Sequence, residues 1–494
     1  MKKSYLALLV SVIFILATVG ASFAAMGEGT VSCKKGVDLT LFGSNRFIPT
    51  YCSNMNDFDS DKSDLTTLDE GGWGAGFFVR NELRLGFAGK GENMGFRVIL
   101  ENDIHYSKAN GDRNTYADYG NHTSDFGGEF SVERSKFWYD FCGVRFTTGW
   151  DVTWADLKTG GLLYGDDHPF IMLSGKAGDM FDWQLNMLLI NDADDVEYPA
   201  GGGLDLSGKY RDSDWYAYIA KANFKVAGLT VSPFACFSDM RKGVRHGLGN
   251  SQAYYGGLEV YGKLGIIQPS FEIVGVTGTI NDSYKPGTTQ EDDYDISSFA
   301  AFASVKFDLM PEFQPYIGGY YVQGDDDPTD DDAEGFVGIT NITRYTPTFG
   351  MEGAYIYEHI YGLGSPLYAL VPERLGSANA RYGGIGAGGS GDNPGLIYVG
   401  MGATGKINAI SYKIQTAYMW FEEEDGLTAK GDTKPGGVDD AIGWTIDAQA
   451  KYSLTSNVSL SYTISGLLPG DGVEDLKGED DIAWITRAEL VWKW

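Results

Sequence analysis

The chain has 494 residues, and its 67 Asp and Glu outnumber its 38 Lys and Arg, which gives a formal net charge of −29. This acidic balance argues against a nucleic-acid-binding protein, because contacts with phosphate depend on Lys and Arg. The 11 Trp, 30 Tyr and 27 Phe argue against disorder, and a single apolar run of transmembrane-helix size excludes a bundle of membrane helices.

That apolar run opens the chain and is typical of a signal peptide. Lys2 and Lys3 precede an apolar stretch, 5–20, and Ser22 and Ala24 have the −3 and −1 spacing of a signal-peptidase site. The sequence therefore predicts a signal peptide over residues 1–24 and one exported domain over residues 25–494.

Four predicted strands between Val79 and Asp151 alternate apolar and charged residues. A period of two indicates a strand with one apolar face and one polar face. The polar faces carry six basic residues: Arg80, Arg84, Arg97, Arg134, Lys136 and Arg145. They also carry the carboxylates of Glu82, Glu101, Asp103, Asp140 and Asp151.

Two acidic segments follow these strands. The segment 151–168 contains Asp156, Asp166 and Asp167. The segment 324–394 has no clear alternation, and near its start two aspartate runs provide weak calcium candidates: Asp325, Asp327 and Asp331. A solvated outer loop is the simpler interpretation of these runs.

The C-terminal strands show the alternation most clearly. Trp484, Leu490, Trp492 and Trp494 fall on one face of the last strand, with charged residues on the other. Their apolar faces run for about 10–13 residues, the length that a tilted strand needs to cross a bilayer. Short turns alternate with long acidic loops, which favours a transmembrane antiparallel β-barrel over a soluble β-sandwich.

Eight predicted short turns, together with the first and last strands, give 18 strands, and 16 strands remain an alternative. The less clear regions are 37–48, 168–176 and 324–394. The pairing of the four Cys stays open, although Cys33 and Cys142 fall at the same end of such a barrel and form the less implausible bridge.

If the apolar faces contact lipid, the charged faces line the lumen. The six basic residues then form one basic wall of a constriction. The alternative is that these charges only solvate a wide, water-filled interior.

At this point the chain resembles the general porins of Gram-negative outer membranes. The resemblance rests on the signal peptide, the alternating strands, the acidic loop after the fifth predicted strand and the terminal Leu490-x-Trp492-x-Trp494. It implies that Asp156, Asp166 and Asp167 lie on a loop folded into the lumen and face Arg80, Arg84, Arg97, Arg134 and Arg145. It also implies a homotrimer, and insertion by the barrel assembly machinery through the terminal strand with Leu490, Trp492 and Trp494.

The expected function is passive diffusion of small hydrophilic solutes and ions across the outer membrane, with lipid and lipopolysaccharide as surroundings. A substrate-selective porin for sugars, organic acids or oxyanions is one alternative, and a secreted polysaccharide-binding β-protein is another. No convincing nucleophile–base pair and no metal-ligand spacing of His occur, so we expect neither enzymatic activity nor a cofactor, apart from calcium at the outer loops.

Overall fold

The structure is a computed structural model. It describes residues 29–33, 36–54, 76–105, 130–191, 214–241, 250–284, 291–327, 330–341, 345–354, 394–427, 429–432 and 436–494. The predicted signal peptide lies outside the described residues.

Strands make up almost all of the regular structure. The first half of the chain contains β1 (Gly29–Cys33), β2 (Val37–Ser53), β3 (Gly76–Lys90), β4 (Met94–His105), β5 (Ser131–Phe141), β6 (Val144–Trp154), β7 (Tyr164–Ala177), β8 (Phe181–Asn191), β9 (Trp215–Val226) and β10 (Leu229–Met240). The second half contains β11 (Asn250–Gly262), β12 (Ile267–Tyr284), β13 (Glu291–Phe307), β14 (Gln314–Val322), β15 (Asp332–Ala333), β16 (Thr340–Asn341), β17 (Leu396–Ile407), β18 (Ile410–Trp420), β19 (Ala441–Ser453), β20 (Val458–Pro469), a short helix α1 (Asp471–Lys477) and β21 (Ala483–Lys493).

Eighteen of these strands close into an antiparallel barrel, which confirms the predicted fold class and the higher of the two strand counts. Closure occurs where β2 pairs with β3 on one side and β21 on the other. Trp494 completes the seam, because its N–H donates to the carbonyl of Gly43 at 3.1 Å and its carbonyl accepts from the N–H of Gly43 at 2.9 Å. The remaining strands lie outside this count: β1 extends the edge of β2, and β15 and β16 belong to a loop.

The two ends of the barrel differ in their connections. Tight turns join strands at one end, as at Cys142 and Ala227, which both have positive φ. The other end carries the long connections, including the one that contains α1. Cys142 is exposed at its turn with a free thiol, and the side chain of its predicted partner Cys33 lies outside what the structure describes. Within the described ranges, no helix has the length and apolar character needed to cross a bilayer.

The outer face of the barrel is apolar. On β5, Phe137 is 52% exposed and Phe141 is 66% exposed, and on β21 Trp492 is 40% exposed. The alternate residues of β21, such as Ile485 and Val491, are buried inside. The apolar stripe therefore points outward, as the period of two predicts.

The interior has a dry side. We call the inward faces of β8–β14, β17 and β18 the packed wall, because they carry large buried residues such as Trp215, Phe302 and Tyr398. Two connections fold inward against this wall. The first inner loop is 155–163, and the second inner loop consists of the described residues 323–327, 330–341 and 345–354. They leave the opposite side of the interior to the charged residues of β2–β6.

Candidate functional site

The six predicted basic residues lie on the inward faces of β3–β6, which we call the charged wall. Register demonstrates this placement, because residues paired across an antiparallel ladder point to the same side of the sheet. Arg84 pairs with Glu101, Arg97 with Lys136, and Arg145 with Asp140. The interleaved residues, such as Phe137, are exposed on the outer face.

The partners of these basic residues come from the charged wall itself. The ion pairs include Arg80–Glu82 at 3.3 Å, Arg80–Glu101 at 3.9 Å, Arg84–Glu82 at 3.0 Å, Arg84–Glu133 at 3.1 Å, Arg84–Glu101, Arg134–Glu133 at 3.5 Å, Arg134–Asp151 at 3.9 Å and Lys136–Asp151 at 2.5 Å. The basic members keep between 27% and 32% of their side chains exposed. The wall is therefore a hydrated mixture of paired charges rather than a purely basic surface.

Two basic residues lie nearer the end with the tight turns. Arg145 makes a two-point contact with Asp140, at 2.7 and 2.8 Å, and its guanidinium lies 5.8 Å from the ring centroid of Trp138. Arg97 lies over the ring of Phe42 at 5.0 Å. Aromatic faces attract guanidinium groups, so these contacts hold both cations along the wall.

The structure gives Asp156 a different place from the one that the porin resemblance implies. The residue is fully buried, and its carboxylate accepts hydrogen bonds from the backbone N–H of Leu163 and of Tyr164, the latter at 3.0 Å. Burial raises the pKa of Asp156 above its usual value, and the neighbouring groups that lower it have smaller effects. Asp156 therefore stabilises the first inner loop instead of facing the arginines.

The other two predicted loop carboxylates belong to a strand. β7 already begins at Tyr164, and its register places Asp166 opposite Thr153 and Asp167 opposite Val152. The two side chains nevertheless share a hydrogen bond, and Asp167 lies near enough to Arg134 to interact with its charge, so this part of the predicted arrangement is present at the start of β7. Asp166 accepts the backbone N–H of Asp167 at 2.9 Å.

Glu272 of β12 fixes the first inner loop to the packed wall. Its carboxylate accepts three successive backbone N–H groups, from Gly160 at 2.7 Å, Gly161 at 3.0 Å and Leu162 at 3.2 Å. The hydroxyl of Thr159 lies 2.6 Å from the same carboxylate. Several backbone donors at one carboxyl group replace much of the hydrogen bonding to water that the group loses on burial.

A buried ion pair supports the same loop. Lys221 contacts Glu259 and also donates to the carbonyl of Ala155, while the hydroxyl of Thr159 lies 2.8 Å from Glu259. The side chain of Lys221 is 4% exposed and that of Glu259 is 0% exposed. The polar groups of the packed wall thus hold a loop and are shielded from solvent.

The second inner loop is joined to the first. The N–H of Ile339 donates to the carbonyl of Leu163 at 2.8 Å, and β16 continues this contact as a parallel pair with the start of β7. A side chain at Gly338 would meet the carbonyl of Leu162 at 2.2 Å, so the close approach of the two backbones requires glycine. The two loops therefore form one packed unit.

The second inner loop also brings a carboxylate to wall arginines. Glu352 lies 2.5 Å from Arg46 of β2 and 3.5 Å from Arg487 of β21. Arg46 further pairs with Glu82 at 3.0 Å and with Glu489 at 2.5 Å. We call these five residues the arginine cluster.

Sequence reasoning missed most of this cluster. Arg46 falls in a region of weak alternation, and Glu352 falls in a long segment without any period, so no pattern assigns either residue to a wall. Glu489 and Arg487 stand in the polar set of the last strand and could have been assigned to the interior by the same rule that found Arg84.

The remaining predicted site residues are separate from these groups. Leu490 and Trp492 lie on the outer face of β21, and Trp494 lies at the seam. Asp325 is buried and accepts backbone N–H groups of its own loop, at 3.2 Å from Asp327 and 3.4 Å from Glu334. Asp325, Asp327 and Asp331 form no metal-binding group, and no group of three or more His, Cys, Asp or Glu suited to a metal ion occurs in the described part of the chain.

Comparisons with known proteins give no relative by sequence. No family model matches the chain, and no curated protein matches it. Among solved structures, the chain is similar to a BenF-like porin from Pseudomonas fluorescens Pf-5, with 8% identity and a TM-score of 0.52 over 93% of this chain and 99% of that one. At this identity the likeness shows a shared fold.

Two further solved structures, both from Pseudomonas aeruginosa, align over similar lengths. OccK1 (OpdK) has 11% identity and a TM-score of 0.49, over 92% of this chain and 98% of that one. OccK11 (OpdR) has 8% identity and a TM-score of 0.49, over 93% of this chain and 96% of that one.

Proposed function

We propose that this protein is an outer-membrane porin that lets small hydrophilic solutes and ions diffuse through a water-filled passage. The main observation in support of the proposal is that the two faces of the barrel wall differ in polarity. The outer face is apolar, while the inner faces of β3–β6 carry ion pairs whose basic members stay partly exposed, such as Lys136, which is 32% exposed beside a buried Asp151. Ionised side chains keep water beside them because losing hydration is costly.

The apolar outer face also argues against the secreted polysaccharide-binding alternative. Exposed aromatic residues such as Phe141, Tyr254 and Trp444 are spread around the barrel, and an apolar surface of this extent is unfavourable in water. In a closed barrel every strand is paired on both sides, which is the condition for crossing a bilayer with strands. The fold shared with a protein named as a porin supports the same proposal.

The test is conductance of the refolded protein in a planar lipid bilayer. We expect stepwise increases in current from a sample whose folded barrel has been verified by its altered gel mobility before heating. The same sample, boiled before addition, is the control. A folded barrel that inserts into vesicles and carries no current would overturn the proposal.

A substrate-selective porin is the second candidate, and the asymmetry of the interior favours it. The packed wall and both inner loops restrict polar contacts to one side, where paired arginines and lysines retain exposed surface. Solutes that exchange hydrogen bonds with these pairs would pass more readily than neutral solutes of equal size. Swelling of vesicles in neutral and ionic solutes of matched size separates the two candidates, because a diffusion porin would rank them by size alone.

The assembly state and the surroundings belong to the same proposal. We expect a homotrimer in an outer membrane with lipopolysaccharide, inserted by the barrel assembly machinery through the terminal strand with Leu490, Trp492 and Trp494. The seam contact between Trp494 and Gly43 supports a role of the last residue in closure. Conductance steps in groups of three would support the trimer, and steps that close singly and independently would argue for a monomer.

A further inference from the structure

The second inner loop places one carboxylate, Glu352, among wall arginines. The strands beneath the loop fix its position, because their inward side chains bind three of its carbonyl groups. Lys413 donates to the carbonyl of Gly350 at 2.7 Å, and Gln415 donates to that of Phe349 at 2.9 Å. Gln449 donates to the carbonyl of Glu352 itself at 3.0 Å.

Packing on both sides of Glu352 gives the loop little freedom. The ring of Phe349 is fully buried, with its centroid 5.0 Å from that of Tyr398 and 5.5 Å from that of Tyr316. Gly353 has φ +86°, and a Cβ there would lie 3.1 Å from the side chain of Arg487. The loop therefore presents the Glu352 carboxylate to Arg46 and Arg487 in a defined geometry.

The arginine cluster is unequally exposed. The side chains of Arg487, Glu82, Arg46 and Glu489 are 7%, 1%, 15% and 15% exposed, whereas that of Glu352 is 33% exposed. Glu352 faces both Arg46 and Arg487, whereas Glu82 is shared with Arg80 and Arg84 of the charged wall. The most hydrated member, and the one that comes from a loop, is therefore the group whose charge an ion in the interior meets most directly.

We infer that Glu352 determines the ion preference of the passage by setting the charge balance of the arginine cluster. This inference rests on the proposed porin function. With its charge, Glu352 offsets the positive charge of Arg46 and Arg487, which makes this part of the interior less favourable for anions. Without this charge, Arg46 and Arg487 lose a shared counter-charge and the passage admits anions more readily.

The experiment measures reversal potentials of single channels across a potassium chloride gradient. We expect Glu352→Gln to lower the potassium-to-chloride permeability ratio by about 2- to 5-fold at low salt, as one unit charge a few ångströms from an ion in water would do. Arg46→Gln should raise the ratio, because it removes a positive charge from the same cluster. The Glu352→Gln effect should shrink at 1 M salt, where the screening length is about 3 Å.

Two controls separate charge from packing. Glu352→Asp keeps the charge and should stay near the wild-type ratio, and Glu479→Gln makes the same chemical change at an exposed residue after α1 and should leave the ratio unchanged. A Glu352→Gln channel with the wild-type ratio would overturn the inference, as would a Glu352→Asp channel that shifts as far as Glu352→Gln. A wild-type protein that never conducts would instead overturn the porin proposal itself.

Discussion

The charged wall and the packed wall are faces of one continuous sheet, yet they hold their ionised groups in opposite ways. On the charged wall, Lys136 and Arg134 remain about a third exposed while paired with Asp151. On the packed wall, Lys221 and Glu259 are almost fully enclosed, and their hydrogen bonds hold the first inner loop. A hydrated charged group can interact with a passing solute, whereas an enclosed charged group stabilises the fold.

The largest expected difference between the walls concerns packing. Phe302→Ala removes a buried ring that contacts Tyr320 at a centroid distance of 4.5 Å, and should lower the free energy of unfolding by about 3–5 kcal/mol. Phe299→Ala on the same strand is the matched control, since its side chain is 41% exposed on the outer face. Fluid lipid fills the space it leaves, so the loss should be nearer ~2 kcal/mol. Equal losses in urea unfolding from vesicles would contradict a dry interior.

The ion pairs of the two walls should also respond differently to the loss of one partner. Lys221→Met leaves Glu259 buried without its cation and should cost about 3–5 kcal/mol. Arg145→Met breaks the Arg145–Asp140 pair, whose side chains are 49% and 40% exposed, and should cost roughly 0–1 kcal/mol. Urea midpoints of the two variants, followed by tryptophan fluorescence, test this contrast, and similar midpoints would show that Lys221 is hydrated.

Selectivity should depend on the charged wall. Asp151→Asn removes the carboxylate 2.5 Å from Lys136 and leaves that cation free to hydrate. We expect the potassium-to-chloride permeability ratio, obtained from the reversal potential, to fall by about 2-fold at low salt. Asp151→Glu keeps the charge and serves as the control. An unchanged reversal potential in Asp151→Asn would place Lys136 and Arg134 outside the passage.

The smallest effect concerns pH and the first inner loop. Burial raises the pKa of Asp156 above its usual 3.8, so between that value and the raised one the folded protein binds more protons than the unfolded chain. Stability contributed by this group therefore falls as the pH rises through that window. Thermal midpoints of the wild type and of Asp156→Asn, compared from acidic to neutral pH, should differ by an amount that changes with pH. A difference independent of pH would show that Asp156 is ionised throughout.

The sequence by itself determined which face of each strand meets lipid and which meets the interior. The period of two in β3–β6 and β21 is enough to place Arg84, Lys136 and Trp492 on their faces, because successive side chains of a strand alternate and the bilayer demands an apolar exterior. Even the strand count followed from the turns. The orientation of each strand face and the positions of the turns are local properties, because they depend on residues that are neighbours in the sequence.

Only the tertiary structure decided which charges meet and where the inner loops lie. Asp156 was expected opposite the arginines, but its carboxylate is used by backbone N–H groups of its own loop. Glu352 takes the position beside Arg46, 306 residues away in the chain. A loop has no period, and its course depends on contacts such as Phe349 with Tyr398 and Gly338 with Leu162, which arise only after the barrel has closed.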